Sequence, residues 1–236
     1  MGYFVSMILI VVILLTQDKI IALNRYMSFV FYLLVYITIS SLFAYSYASF
    51  LYLLHASGLA ASVLSLAILL RKNSTQSLGI NLPKEKIFLY ILIPLMFLQI
   101  LISFGWGFLM EYFWGISQEQ AFMTSLLGIN STSMWLFGFL VVSVAIPLIE
   151  ELLFRGIFVQ ICIEKKVPFI ESVLMNGILF GFMHMSTLAA VVPLSIFGCV
   201  LTYLRLKSHS IVPSLILHML NNFIVLLFYW SVNNLL

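Results

Sequence analysis

Apolar residues in this chain fall in solid blocks of helical length, separated by short polar breaks. About eight such runs can be drawn, near Tyr3–Leu23, Tyr26–Leu53, Ala56–Leu70, Ile87–Met110, Trp135–Ile163, Pro168–His184, Ala189–Leu206 and Ile211–Val232. A helix needs about 20 apolar residues to cross a bilayer, and most of these runs have that length. The break between the second and third runs, near His55–Gly58, is weak. The strict alternation expected of a membrane β-barrel strand is absent. The pattern therefore predicts an all-α, polytopic membrane bundle of about eight transmembrane helices, in one domain spanning residues 1–236. Residues 3–110 supply the N-terminal helices, and residues 135–233 supply the part richest in polar exceptions.

Composition supports the same class. Of 236 residues, 63% are hydrophobic and 8% charged, against about 25% charged in ordinary globular domains. Nothing here suggests a nucleic-acid partner; the lipid bilayer is the expected surroundings. No Lys or Arg precedes Lys19, so the first run lacks the basic start of a signal peptide and is expected to be a retained helix. Cys162 and Cys199 lie inside apolar runs without metal-type spacing and are expected to act as small buried residues.

Placing the charges tests the division into runs. The basic residues are Lys19, Arg25, Arg71, Lys72, Lys84, Lys86, Arg155, Lys165, Lys166, Arg205 and Lys207. With eight alternating spans, all but Arg155 fall on one side. By the tendency of cytoplasmic loops to be basic, that side is the cytoplasm and both termini lie outside. The longest outer loop, Glu111 to Met134, has no Lys or Arg. Apolar residues at Phe122, Met123, Leu126 and Leu127 suggest a short surface helix there.

The exception to sidedness is also the chemical focus. Glu150, Glu151 and Arg155 are the only charged residues between Trp135 and Ile163, and each would cost about 2.5–3.5 kcal/mol at mid-bilayer. Residues four apart share a helix face, so Glu151 and Arg155 can neutralise each other. Glu150 is turned about 100° away from that pair. Pro147 weakens the preceding turn. Elsewhere in the spans, Phe180 and His184 are four apart, as are His218 and Asn222; Glu171 and Asn176 complete the polar set, Glu171 near enough to the cytoplasmic end to be structural. At about 1.5 Å per residue, Glu150, His184, His218 and Asn222 lie roughly 13–24 Å from their basic ends, in one mid-membrane layer. A carboxylate and an imidazole can take a proton from water, and an imidazole with an amide can stabilise an oxyanion.

In order, Glu-Glu-x-x-x-Arg, Phe-x-x-x-His and His-x-x-x-Asn on successive membrane helices resemble the CPBP intramembrane protease family, also called the Abi or CAAX amino-terminal protease family. It includes type II CAAX prenyl endopeptidases and bacterial proteins linked to bacteriocin processing and self-immunity. The resemblance covers about Leu140 to Asn222. It implies a wet intramembrane cavity and hydrolysis of a peptide bond, with Glu150 and His184 activating water. His218 and Asn222 would hold the oxyanion, with Glu151, Arg155 and Phe180 in support. The expected substrate is a peptide or membrane protein, the expected location a bacterial cell membrane. A metal-free glutamate mechanism uses every group once; if zinc is bound, Glu150, His184 and His218 are its candidate ligands. A proton-coupled transporter and a non-catalytic immunity or scaffold protein stand as alternatives. Substrate identity and oligomeric state are not written in the sequence.

Overall fold

In the computed structural model, the described residues are 78–116, 132–184 and 188–235. The chain divides into two compact units, Met1–Ser74 and Thr75–Leu236, and all described residues lie in the second. The first three apolar runs and the surface helix expected near Phe122–Leu127 fall outside the described residues. So does the full count of eight spans.

The described residues form five helices and no strand. A single turn, Ile87–Tyr90, leads into α1, Leu92–Trp114. Gly115 ends α1 in the left-handed conformation (φ 63°), where it and Ile116 return hydrogen bonds to the Glu111 and Met110 carbonyls, the Schellman closure that favours glycine. α2 is one continuous helical run over residues 132–164. α3 is Phe169–Phe182, α4 is Leu188–Ser208 and α5 is Val212–Leu235. Pro168 stands just before α3 and Pro213 in the first turn of α5, where a missing N–H costs nothing. The observed bounds agree with the apolar runs to within a few residues.

Ile87–Trp114, Leu188–Ser208 and Val212–Ser231 are each long and apolar enough to cross a membrane, and α3 is a shorter apolar helix. Ile93, Phe97, Leu101, Phe108 and Tyr112 leave much of α1 exposed and apolar. That surface suits lipid and not water. The protein is an integral membrane protein.

α2 departs from regular geometry twice, in π-helical stretches at Val141–Ala145 and Leu152–Phe158. Pro147 explains the first. It has no N–H for the Ser143 carbonyl, and the preceding turn widens so that the Ile146 N–H reaches back to Val141. A proline thus produces a wide turn about one helical turn before Glu150, a setting in which π-turns often accompany function.

α3 and α4 touch most closely where Gly177 and Gly181 face α4. A methyl group on Gly177 would overlap Cys199 Sγ, and one on Gly181 would overlap Ser195 Oγ and the Val191 carbonyl. Gly198 returns the contact against Gly177 and Phe180. This small-x-x-x-small spacing lets membrane helices approach backbone to backbone. α1 joins through buried Gln99, whose Nε2 donates to the Pro193 carbonyl of α4 at 3.3 Å. α1 therefore packs with the motif-bearing helices.

Several polar ends meet at one end of this bundle. The Ile211 N–H donates to the Gly79 carbonyl at 2.9 Å, and the Ser210 hydroxyl donates to the Asn81 carbonyl. Lys207 Nζ lies 5.0 Å over the Phe169 ring. Arg205 differs from its expected place among loop charges. It is only 3% exposed, because Gly79 leaves room for its guanidinium.

Candidate active site

Glu150 and Glu151 close the short α-helical segment Ile146–Glu151, and Arg155 lies one turn on, inside the second π stretch. All three are buried. Arg155 Nη1 meets Glu151 Oε1 at 3.0 Å, the pair expected from their spacing. The same oxygen also accepts from His218 Nδ1 at 3.0 Å. Glu151 is thus shared between a guanidinium on its own helix and an imidazole on α5. His218 Nε2 faces Glu150 Oε2 at 3.5 Å, a charge contact longer than a good hydrogen bond. One buried ring stands between the two adjacent carboxylates.

Arg155 is held from other directions too. Its Nη2 donates to the Gly198 carbonyl on α4 at 3.1 Å, and its guanidinium carbon lies 4.6 Å over the Phe180 ring. That distance suits a cation–π contact. Phe180 is a hub: its ring lies 5.1 Å from the His184 ring and 5.5 Å, edge to face, from His218. Phe197 covers His218 at 5.6 Å. The close approach of α3 to α4 places Phe180, Phe197 and Gly198 together.

His184 is half-buried at the end of α3. Its Nδ1 is 2.9 Å from the Phe180 carbonyl oxygen. A carbonyl only accepts, so Nδ1 carries the hydrogen and the neutral ring keeps its lone pair on Nε2. That nitrogen can take a proton or orient a water. Asn222, also half-buried, donates from Nδ2 to the Val142 carbonyl in the first π stretch at 3.1 Å, and its Oδ1 accepts from Asn221 Nδ2 at 3.3 Å. One Nδ2 hydrogen is committed there, leaving the second.

The structure therefore links Glu150, Glu151, Arg155, Phe180 and His218 in one connected set of contacts. His184 joins through Phe180, and Asn222 through the main chain of α2. Glu171 is exposed in the first turn of α3. Among the described residues, no three His, Cys, Asp or Glu side chains stand close enough to hold a metal ion. Glu150, His184 and His218 do not fit together as a zinc ligand set here.

Two side chains near the site have contacts that the sequence does not assign. Asn176, fully buried, donates to the Phe154 carbonyl at 2.8 Å. Arg205 Nε donates to the Arg155 carbonyl at 3.1 Å. Asn176 carried a signal, an amide in an apolar span; Arg205 carried a misleading one, standing two residues from Lys207 at a span end.

Comparison with known proteins points the same way as this geometry. Residues 132–224 match the family model of the type II CAAX prenyl endopeptidases, Rce1-like. The matched segment contains all three motifs, and the family is the CPBP or CAAX protease family that those motifs resemble. No curated protein and no solved structure matches the chain. The family implies a protease acting within the membrane.

Proposed function

We propose that this protein is a CAAX-type intramembrane endopeptidase whose attacking water is activated by Glu150. The observation that carries the reading is His218 spanning two adjacent buried carboxylates, Nδ1 on Glu151 and Nε2 beside Glu150. This divides the labour. Glu151 is occupied with Arg155 and the far side of the ring, while Glu150 lies on the side where Nε2 is presented.

In this mechanism, Glu150 takes a proton from a water that His184 Nε2 helps to orient. The water oxygen adds to the substrate carbonyl carbon, and the carbonyl π pair moves to oxygen. With His218 as the imidazolium between the two carboxylates, both ring nitrogens donate, and hydrogen bonds from its Nε2 and from the second Asn222 Nδ2 hydrogen stabilise that oxyanion; such a donor is worth about 2.7–4 kcal/mol. The intermediate collapses as the C–N bond breaks, and Glu150 returns its proton to the leaving amine. Glu151, Arg155 and Phe180 hold the ring in place. The substrate is a peptide precursor or membrane protein, in keeping with a bacterial cell membrane and bacteriocin processing or self-immunity. A shared side for the basic ends is supported by the joining of residues 79–81, 207 and 210–211 at one end of the bundle, and the basic bias of cytoplasmic loops makes that side the cytoplasm.

The test offers purified full-length protein a farnesylated CAAX-ended peptide and an unprenylated peptide precursor. Wild type is expected to cleave at least one, and Glu150→Gln to lower the rate by about 10²–10⁴-fold, the range of general-base catalysis. Equal cleavage by both forms would remove Glu150 from the role.

A further inference from the structure

The hydrolytic scheme makes no use of Arg205, although burying a guanidinium is costly. Arg205 has the flat face of its side chain against Gly79. A Cβ on Gly79 would stand 2.5 Å from Arg205 Cζ and 2.7 Å from Nε. Gly79 also has a φ of +76°, which side-chain-bearing residues adopt at a cost. From this seat Nε reaches the Arg155 carbonyl.

That carbonyl lies in the π stretch Leu152–Phe158, where the widened turn moves carbonyls from their α-helical partners. Three consecutive residues of the stretch are met from outside. Asn176 of α3 holds the Phe154 carbonyl, Arg205 of α4 holds that of Arg155, and Leu78 lies in contact distance of Gly156, 3.6 Å from where its Cβ would be. A short chain of contacts then leads inward. Arg155 Nη1 is 3.0 Å from Glu151 Oε1, which is 3.0 Å from His218 Nδ1.

We infer that Arg205, seated on Gly79, is a positioning residue: it fixes the Arg155 main chain and, through Arg155 and Glu151, the orientation of His218. Its kinetic consequence rests on the hydrolytic reading above; its anchoring of residues 152–159 does not.

Two variants separate donor from charge. In Arg205→Lys, a methylene replaces Nε while the positive charge stays. In Gly79→Ala, the guanidinium is displaced while Arg205 stays. Lys207→Ala, an exposed neighbour, is the control. Amide hydrogen exchange on the full chain in detergent is expected to quicken over residues 152–159 in both variants and to stay unchanged in α5. With the farnesylated CAAX-ended peptide, kcat is expected to fall by about a hundredfold, as for a small misplacement of reacting groups, with KM little changed. Wild-type exchange together with wild-type kcat in Arg205→Lys would overturn the inference. Faster exchange spread evenly over all five helices would overturn it too, by showing general stabilisation only. If wild type cleaves no peptide, the hydrolytic reading fails by itself, and the exchange pattern decides the anchoring.

Discussion

A guanidinium and a carboxylate that share a fully buried contact are worth most to each other when both are present. Arg155 and Glu151 are each 0% exposed. Removing one leaves the other charged in a low-dielectric interior, which costs about 3–5 kcal/mol. Arg155→Met is therefore expected to lower unfolding free energy in detergent by about that amount. Adding Glu151→Gln to it is expected to restore more than half of the loss, although the double variant stays inactive. Denaturation of the four proteins in this cycle checks the coupling. At this scale the sequence made the Arg155–Glu151 pair legible, since spacing alone puts the two on one helix face. It could not show that Glu151 also receives His218 Nδ1, because a contact between helices depends on how each is rotated about its axis. Nor could it show that one Asn222 hydrogen is already spent on the Val142 carbonyl.

At the scale of elements, hydropathy located the helices and Pro147 marked the weakened turn. It did not reveal that the response would be a π turn, or that a second follows at Leu152–Phe158. Apolar residues stay apolar whether a turn holds three and a half residues or more than four, so the pattern is blind to the difference. The contact between α3 and α4 is better written: Gly177 and Gly181 are four apart, and each lies where a methyl group has no room. Gly181→Ala is expected to lower stability by about 1–3 kcal/mol through overpacking. Ser195→Gly in the same protein is expected to recover only part, since the Val191 carbonyl and Ser195 backbone still crowd the site. Thermal unfolding of the single and double variants reads both effects. The neighbouring Phe180 ties this packing to the active centre, so the Gly181→Ala variant is expected to cleave more slowly even below its melting range.

Across the whole molecule, the polar site is assembled from helices far apart in the chain, and this gives it a history in time. α2 leaves the ribosome with Glu150, Glu151 and Arg155 inside its apolar stretch, while His218 is still to be made. At about 5–20 residues per second, several seconds pass before α5 emerges. Through that interval Glu150 and Glu151 lack the imidazole that later stands between them, and α2 is a poor candidate for release into lipid, given about 2.5–3.5 kcal/mol per mid-bilayer charge. Nascent chains stopped before Val212 are expected to keep α2 in contact with the insertion machinery, and chains extended past Asn222 to release it; site-specific photocrosslinking from Leu148 distinguishes the two. The imidazole that joins the two carboxylates would thus also time the moment at which this helix enters the membrane.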